Sequence, residues 1–391
     1  MTVSSTTKQN NTSEQIQAFI RSLDNPLLDM DYHPGLERVK AVLSHYSLRR
    51  PKLRIRIAGT NGKGSTGYFL ESAFRAAGFT TGFYTSPHIL RFNERIRING
   101  IPANDALLTP LLTDMLDIGK KCGASPFELA TALAINTFNQ ADVDIEILEC
   151  GLGARLDATT AVPADMALIT PIALDHQAWL GDSLQKIAYE KSYVMQGCEF
   201  SISVPQDQEI SDVLVAFNPE LLTCEIRPWE KLSAPGQHQQ INASLAYAAI
   251  MALTQAQRID CDLDKAQAAI AACQVPGRLQ QLSINDASIW LDAAHNRHAI
   301  EALLPSLTSL ADPFDAILVF TREDRTLADA IHLLQPYSRQ IIYKTGGAAA
   351  GEPIEQLRQQ LAINPHGSFL VLGSFITVAN ILRNSGQLGS E

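Results

Sequence analysis

Residues 59–66 read Gly-Thr-Asn-Gly-Lys-Gly-Ser-Thr and lie between a strand-like run and a helical run, a pattern that suits phosphate binding. A turn of this kind points backbone N–H groups and the positive end of a helix dipole at one place. Lys63 would add a charge for the β- and γ-phosphates, and Ser65 or Thr66 would offer a hydroxyl to Mg²⁺. The loop is shorter than the ordinary Walker A motif, because Ile57 stands where that motif has its first glycine. We call residues 59–66 the phosphate loop, and they predict binding of a nucleoside triphosphate and a reaction that uses its γ-phosphate.

Polar side chains also follow two other strand-like runs. Glu149 closes the run 143–149, and Asp175 and His176 follow the run 166–170. Because ligands bind beyond the carboxyl ends of parallel strands, these side chains are expected to face the same crevice as the phosphate loop. Mg²⁺ prefers carboxylate and hydroxyl oxygens to histidine. On the residues alone, Glu149 is either a surface charge or a ligand, and His176 is either a structural histidine or a ligand.

Two other residues also have more than one interpretation. Ser86 follows the strand-like run 80–85 and is a turn residue, a cap or a metal ligand. Lys191 lies on a helical run, where a solvated lysine is the ordinary interpretation.

In the second half of the chain, Asp292 ends a strand-like run just before His295. Arg278 lies in a Pro-Gly-Arg break, and arginine is suited to bidentate recognition of phosphate or carboxylate.

The elements that must position these residues alternate between strands and helices. Strands are predicted at 53–58, 80–85, 94–98, 143–149, 166–170, 287–292, 315–320, 339–343 and 368–372. Helices are predicted at 36–46, 64–77, 105–120, 126–139, 183–195, 242–256 and 262–273. This alternation predicts the α/β class, with a mostly parallel sheet covered on both faces. The second series of strands predicts a smaller α/β domain of about 110 residues, and a cleft between two such domains is a common ligand site.

Composition limits the class of protein. The chain has 391 residues, 46% of them hydrophobic and 18% charged, which is typical of a globular protein of two domains. Its net charge of −10 argues against a nucleic-acid partner or an anionic membrane surface. Residues 1–12 are polar and predict a disordered tail rather than a signal peptide, and no apolar run predicts a transmembrane helix. The six cysteines form no C-x-x-C pair, and a cytoplasmic location is expected.

The order and spacing of several short motifs resemble the dihydrofolate synthase/folylpolyglutamate synthase family, within the Mur-ligase superfamily of ATP-dependent amide ligases. The similarity runs from about residue 36 to residue 381. The matching pieces are Gly-Thr-Asn-Gly-Lys-Gly-Ser (59–65), Thr-Ser-Pro-His (85–88), Gly-Leu-Gly-Ala-Arg-Leu-Asp-Ala (151–158), Leu-Asp-His-Gln-Ala-Trp-Leu-Gly (174–181), Pro-Gly-Arg (276–278), Asp-Ala-Ala-His-Asn (292–296) and Gly-Ser-Phe (373–375).

The resemblance implies a two-domain architecture. An ATP- and pterin-binding P-loop domain, with a parallel-rich sheet, would span residues 13–275. A linker at 276–282 would lead to a smaller Rossmann-like α/β domain at 283–391, which would close over ATP and glutamate. The resemblance also leans to a monomer.

The resemblance implies roles for individual residues. Catalytic roles would fall to Lys63, His176, Lys191 and His295, with Lys191 in the place of a lysine that becomes carbamylated. Two Mg²⁺ ions would be held by Ser65, Ser86, Glu149 and His176. ATP would be bound by Gly59, Thr60, Asn61, Gly62, Lys63, Gly64, Ser65, Thr66, Asn242, Arg278 and Asp292. Phe127 and Asp157 match positions that hold the pterin, as a stacking face and as an acceptor for its N–H groups.

The implied reaction has two steps. ATP phosphorylates a substrate carboxylate to an acyl phosphate, and the amine of L-glutamate then displaces phosphate. The carboxylate would belong to dihydropteroate, to a reduced folate, or to both. A peptidoglycan ligase of the same superfamily would carry a further domain before the phosphate loop, which here begins at Gly59. A same-fold ligase for a non-folate carboxylate and a nucleotide-binding NTPase without ligase chemistry are the alternatives.

The chain departs from the family pattern at four places. They are Ala154 for a glycine, Ser192 and Tyr193 for Ala-Gly after Lys191, Arg297 for the proline after His-Asn, and Glu323, Asp324 and Arg325 for Asp-Lys-Asp. A tyrosine two residues after Lys191 adds bulk at a crowded place. A separate evolutionary branch and a paralogue with a different acceptor would each explain the four departures.

Overall fold

The computed structural model of the protein describes residues 14–23, 35–284, 286–349 and 351–387. The tail predicted at 1–12 lies outside the described residues. The helices are α1 (14–23), α2 (Glu37–Leu43), α3 (Lys63–Ala76), α4 (Asp105–Cys122), α5 (Pro126–Gln140), α6 (Gln177–Leu180), α7 (Leu184–Ser192), α8 (Gln208–Phe217), α9 (Gln237–Gln255), α10 (Leu263–Ala272), α11 (Arg297–Leu310), α12 (Glu352–Ile363) and α13 (Phe375–Asn384).

The strands form two sheets. Their bounds are β1 (Leu53–Ala58), β2 (Thr81–Tyr84), β3 (Ile96–Ile98), β4 (Ile101–Pro102), β5 (Ile145–Glu149), β6 (Met166–Ile169), β7 (Phe200–Ser203), β8 (Leu222–Thr223), β9 (Gln280–Ile284), β10 (Ala287–Asp292), β11 (Ala316–Thr321), β12 (Ile341–Thr345) and β13 (Ser368–Leu372). The first sheet has the order β4-β3-β2-β5-β1-β6-β7-β8, and the second has the order β12-β11-β13-β10-β9.

The first sheet is parallel from β2 to β8, and β3 and β4 add an antiparallel edge. Its central strand β1 is buried along its whole length. Ile55 and Ile57 pack with helices α3, α9 and α10, whereas Leu148 of β5 packs with α4 and α5. Helices therefore cover both faces, as the alternation of strands and helices predicted.

The second sheet is parallel except for β9, which pairs antiparallel with β10. Phe320 packs with residues of α12 and α13, and Val319 packs with residues of α11 on the opposite face. Strand β9 begins at Gln280, so the second sheet starts inside the stretch 276–282 that was predicted as a linker. An antiparallel edge strand carries no helix-strand alternation, which is why the pattern missed it.

Between β11 and β12, the described chain contains no α-helix. The segment Ile331–Tyr337 is a 3₁₀ helix with Pro336 inside it. Proline lacks the N–H group that would continue the hydrogen-bond ladder, and the segment ends one residue later, at Tyr337. In the described part of the chain, no helix combines the length and the apolar character that a membrane span requires.

Candidate active site

The topology brings three loops to one edge of the first sheet. Strands β5, β1 and β6 are neighbours and run parallel. The phosphate loop follows β1, Glu149 ends β5, and Asp175 and His176 follow β6. The carboxyl ends of these strands therefore carry the predicted residues to a common crevice, as expected for an open α/β sheet.

Two glycines shape the phosphate loop. Gly59 has a φ of 147° and Gly62 a φ of 90°, conformations that side-chain-bearing residues rarely adopt. A Cβ at Gly59 would overlap the Thr170 hydroxyl, and a Cβ at Gly62 would overlap the Asn242 amide oxygen. The loop thus needs glycine at both positions, for its backbone and for the close approach of its neighbours. Helix α3 begins immediately afterwards, at Lys63.

The loop is fixed to the segment that follows β6. The backbone N–H of Thr60 donates to the carbonyl of Pro171 at 2.8 Å. The Thr60 hydroxyl lies 3.0 Å from the carbonyl oxygen of Ala173 and 3.0 Å from its N–H. These bonds hold the phosphate loop and the chain leading to Asp175 as one unit.

The polar side chains of the loop differ in their surroundings. Lys63 Nζ donates to the carbonyls of Gly59 at 3.2 Å and Thr60 at 3.1 Å. Ser65 Oγ is buried and has no hydrogen-bond partner among the described residues, and the same holds for Thr66 Oγ1. Ser65 lines the cavity that separates the two sheets, but Thr66 does not. Of the two predicted hydroxyls, only that of Ser65 belongs to a residue that lines the cavity.

Glu149 lies beside the phosphate loop and is 4% exposed. Its Oε2 accepts from the hydroxyl of Thr85 and, at 3.2 Å, from the N–H of Ser86. Burial raises the pKa of the Glu149 carboxyl, whereas Lys63 and these hydrogen bonds act in the opposite direction. A buried carboxylate next to an unpartnered serine hydroxyl is the donor set that suits a hard divalent cation.

Lys191 is buried rather than solvated, so the ordinary interpretation of its helix position was wrong. Its Nζ donates to the carbonyl of Gly59 at 2.7 Å. Burial, followed by the charge of Lys63, lowers the pKa of Lys191 from 10.5 to about 7. An amine with this pKa is partly uncharged at neutral pH and can act as a nucleophile.

His176 and Asp175 meet an arginine of the second sheet. Arg325 Nη2 lies 2.9 Å from His176 Nε2, and Arg325 Nη1 lies 3.6 Å from Asp175 Oδ1. Burial lowers the pKa of His176 to about 4, with Asp175 opposing the shift and Arg325, Lys191 and Lys63 adding to it. His176 is therefore uncharged at neutral pH, and its Nε2 accepts from Arg325.

Residues of the second domain form the opposite wall. Asp292 accepts from the N–H groups of Leu279 at 2.9 Å and Ala294 at 2.7 Å, so it fixes the turns on either side of it. Arg278, in the first of these turns, stacks over the ring of Phe375 at 4.8 Å. Burial and the charge of Arg325 lower the pKa of His295 to about 3. Its Nδ1 lies 2.9 Å from the carbonyl of Ala293 and so carries the proton, since a carbonyl only accepts.

A cavity of about 480 Å³ lies between the two walls. Most of the residues predicted for the site line it: Gly59, Thr60, Asn61, Gly62, Lys63, Gly64, Ser65, Ser86, Phe127, Glu149, His176, Lys191, Asn242, Arg278, Asp292 and His295. Thr66 and Asp157 are not in the lining. Within the described residues, no three His, Cys, Asp or Glu side chains cluster as a metal site by themselves. A metal here would rely on one carboxylate, hydroxyls and the phosphates of a nucleotide.

The two residues predicted to hold a pterin differ in their relation to the cavity. Phe127, near the start of α5, lines the cavity, and its ring packs against Gly151. Asp157 is 4% exposed. One of its oxygens accepts from the N–H groups of Gly151 and Leu152, and the other from the N–H and hydroxyl of Thr159. Asp157 thus holds the loop that faces Phe127.

The departures from the family pattern are accommodated locally. Ala154 is buried in the core and needs no left-handed backbone, unlike Gly153 with its φ of 66°. Tyr193 packs against Tyr189 and Phe217 and does not line the cavity, so the bulk expected beside Lys191 points elsewhere. Arg297 forms an ion pair with Glu301 at 2.8 Å within helix α11.

The segment Glu323–Arg325 has the largest effect on the site. Asp324 is held by Arg322 through two contacts of 2.9 and 3.2 Å. Arg325, which the sequence marked only as a departure from the family, reaches across the cleft and lines the cavity. Its position after β11, at the carboxyl edge of a parallel sheet, is the signal that would have marked it as a site residue.

The comparisons with known proteins agree with this geometry. No family model matches the chain. The dihydrofolate synthase/folylpolyglutamate synthase of Bacillus subtilis is 32% identical over 323 residues, covering 73% of this chain and 75% of that protein. The protein of the same description from Escherichia coli is 29% identical, covering 93% of each chain.

Solved structures show the same fold. E. coli FolC in complex with DHPP and ADP has a TM-score of 0.74 at 28% identity, covering 92% of this chain and 94% of that one. A bifunctional folylpolyglutamate synthase/dihydrofolate synthase with Mn, AMPPNP and L-glutamate bound has a TM-score of 0.75 at 28% identity, covering 92% and 97%. The likeness confirms the expected Mur-ligase-like fold of two α/β domains. The chain belongs to the dihydrofolate synthase/folylpolyglutamate synthase family of ATP-dependent ligases.

Proposed function

We propose that this enzyme uses ATP to join L-glutamate to the carboxylate of dihydropteroate, of a reduced folate, or of both. The observation that carries the proposal is the cavity that the phosphate loop shares with Arg278 and His295. A reaction between three substrates needs a cleft from which water can be excluded, because a water molecule would otherwise hydrolyse the activated carboxylate. Relatives of this chain have been solved with DHPP and ADP, and with AMPPNP and L-glutamate.

ATP would lie with its phosphates on the phosphate loop. The N–H groups of the first turn of α3 and the ammonium of Lys63 would receive the β- and γ-phosphates. Lys63 now donates to two carbonyls of the loop, and phosphate oxygens are stronger acceptors for the same ammonium. Arg278 would contact the nucleotide from the second domain, with Asp292 fixing its turn. Asn242, which packs on Gly62, would lie on the side of the base.

A divalent cation fits one part of this site. Ser65 offers a buried hydroxyl without a partner among the described residues, and Glu149 and Ser86 lie on the neighbouring strand ends. The bound ion would withdraw charge from the γ-phosphoryl oxygens and so favour their transfer. The predicted second ion, at Glu149 and His176, fits less well, because His176 Nε2 already accepts from Arg325. The proposed reaction has no step that needs this second ion.

The chemistry would then follow from positioned side chains. The acceptor carboxylate attacks the γ-phosphorus, ADP leaves, and an acyl phosphate forms. The amine of glutamate attacks the acyl carbon, and phosphate leaves with one oxygen of the original carboxylate. His295 would lie near the reacting phosphate as an uncharged acceptor, because its pKa of about 3 keeps it neutral and its proton is on Nδ1. Lys63 would offset the charge on the transferring group throughout.

Lys191 would serve beside the phosphate loop as a carbamate. An uncharged lysine nitrogen attacks CO₂, loses a proton and becomes an anion. The pKa of about 7 makes the uncharged amine available at neutral pH. Tyr193 does not line the cavity, since its ring packs against Phe217.

The pterin would lie against Phe127, whose ring faces the cavity. Asp157 would act through the loop it holds, since each of its oxygens already accepts hydrogen bonds from the protein. The alternative acceptor, a non-folate carboxylate, would have to fill the same space beside the ring. A monomeric state and a cytosolic location stay predictions. They are supported by the resemblance and by six cysteines that are all free thiols.

The experiment that tests the proposal is phosphate release from ATP in the presence of Mg²⁺ and L-glutamate. Three reactions are compared: one with dihydropteroate, one with tetrahydrofolate and one without acceptor. Release that requires an acceptor and glutamate is expected, with a product that is heavier by one glutamate residue in mass spectrometry. Release that is the same without acceptor would contradict the folate assignment and favour an NTPase.

A further inference from the structure

Asp175 is the point where three side chains of the second domain meet the first domain. Asn296 Nδ2 lies 3.2 Å from Asp175 Oδ2. His295 Nε2 lies 3.9 Å from the same oxygen, and Arg325 Nη1 lies 3.6 Å from the other. The Asp175 side chain is only 16% exposed, so these groups replace most of its contact with solvent. The three partners come from two different loops, after β10 and after β11.

Asp175 is also rigidly connected to the phosphate loop. The chain leading to it is fixed by the bonds from Thr60 to Pro171 and Ala173. The backbone N–H of Asn61 donates to the Pro171 carbonyl as well, at 3.3 Å. A shift of the phosphate loop would therefore be transmitted to Asp175 along a short stretch of bonded backbone.

Asn296 joins the two sides of the cleft a second time. Its Nδ2 lies 3.2 Å from Asn61 Oδ1, and Asn61 Nδ2 lies 3.1 Å from Asn296 Oδ1. Asn296 is also the N-cap of helix α11, where its side chain accepts from the N–H of Ala299 at 2.8 Å. One amide thus touches the phosphate loop, Asp175 and the start of a second-domain helix.

We propose that Asp175 is a positioning residue that fixes the closed arrangement of the two domains over the phosphate loop. Its carboxylate orders Arg325 and Asn296, and in this way holds the loop that carries His295 next to Asn296. The proposal rests on the proposed function, since it assigns a role within the same site. It does not require Asp175 to touch ATP, the acceptor or glutamate.

The geometry explains why the charge matters. Arg325 contributes a full positive charge and Asn296 an amide donor, and a carboxylate can pair with the charge while it accepts from the amide. Without it, the guanidinium would keep only His176 as its partner on the first domain, among the described residues. The second domain would then lose its ionic contact with the first domain at this point.

The test uses Asp175→Ala in the full-length protein. We expect kcat to fall by about 100-fold, the effect of misplacing a reacting group by about 1 Å. The dissociation constant of AMPPNP should rise by much less than kcat falls, because the phosphate loop is intact and only the contact of Arg278 from the second domain is weakened. Arg325→Ala should lower kcat in the wild type but have no further effect in Asp175→Ala, as expected for two residues that act through one contact.

Small-angle scattering with AMPPNP supplies a readout that does not depend on turnover. The radius of gyration of Asp175→Ala should exceed that of the wild type in the same buffer. Asp182→Ala is the matched control, because Asp182 is an exposed acid near α7 that pairs only with Lys186 among the described residues. It should match the wild type in kcat and in scattering.

If the alanine variant fails to fold, Asp175→Asn keeps an oxygen for Asn296 but loses the charge for Arg325. It should lose kcat by about tenfold or more and show the same dependence on Arg325. Wild-type kcat in either variant, multiplicative effects of the two substitutions, or an equally compact AMPPNP complex would overturn the proposal. Should the wild type release no acceptor-dependent phosphate, the proposed function fails, while scattering still decides the role of Asp175.

Discussion

The ammonium nitrogen of Lys191 lies 2.7 Å from the carbonyl oxygen of Gly59. Helix α7 is thereby hydrogen-bonded to the first residue of the phosphate loop, although the two are far apart in the sequence. Lys191 is 5% exposed, and none of its described hydrogen bonds is to a carboxylate. A buried lysine in this setting is costly when charged, and the cost is expressed in its pKa.

The first prediction concerns stability and pH. In the unfolded chain, the pKa of Lys191 is 10.5, so the side chain keeps its proton up to about that pH. In the folded protein, its pKa is about 7. Folding therefore releases a proton between these values, and stability rises with pH through this window. Relative to Lys191→Met, the wild type should gain about 2 kcal/mol of unfolding free energy between pH 7 and pH 9. Urea denaturation in CO₂-free buffer measures the free energy of unfolding of both proteins.

Lys186→Met is the control for this experiment, because Lys186 lies on the same helix with a side chain that is 65% exposed. It should show no such gain. A constant difference between the wild type and Lys191→Met at all pH values would mean that Lys191 keeps its proton when folded.

The second prediction separates the two hydroxyls after Lys63. Both are buried without hydrogen-bond partners among the described residues, but only Ser65 lines the cavity. Ser65→Ala should lower kcat by about 100-fold and raise the Mg²⁺ concentration needed for half-maximal rate. Thr66→Val keeps the shape of the side chain and should change neither quantity. Equal losses in the two variants would show that the Ser65 hydroxyl has no special role.

The third prediction tests the glycine requirement at position 62. Gly62 has a φ of 90° and would bring a Cβ into the Asn242 amide, whereas Gly78 has a φ of 87° and open space around it. Alanine at Gly78 should therefore cost about 1 kcal/mol of stability from backbone strain alone. Alanine at Gly62 should cost more and should also abolish binding of AMPPNP in calorimetry. Normal AMPPNP affinity in Gly62→Ala would contradict the described packing of Asn242.

The fourth prediction concerns Asp157. Asn at this position would turn a donor toward the N–H groups of Gly151 or Thr159 and leave one of them without an acceptor. The variant should lose about 1–3 kcal/mol of stability. Because the loop at 151–152 faces Phe127, the KM for the acceptor should rise while the KM for ATP stays unchanged.

Asp165→Asn provides the comparison for Asp157. Asp165 is also buried and also accepts from a backbone N–H, that of Arg54, but it does not line the cavity. It should lose stability without a change in either KM. A rise in the KM of Asp157→Asn for ATP would contradict this prediction, because it would mean that the substitution disturbs the phosphate loop.

The sequence allowed the parts of the site that depend on local pattern to be predicted. The phosphate loop joins a strand to a helix within a few residues, and Glu149 ends a strand, so their common edge follows from parallel topology. The burial of Lys191 could not be read from its helix, because the residue to which it donates belongs to the phosphate loop. Arg325 could not be placed at Asp175 for the same reason, since the contact depends on how two domains pack.

The most direct test of the acyl-phosphate reaction uses an acceptor whose two carboxylate oxygens are both ¹⁸O. If the γ-phosphate is transferred to that carboxylate and glutamate then displaces it, each phosphate released must carry one ¹⁸O atom. We predict this label in the presence of ATP, Mg²⁺, L-glutamate and a folate acceptor. Unlabelled phosphate would mean that water attacks ATP directly, and the assignment of this site as an acyl-phosphate ligase would be contradicted.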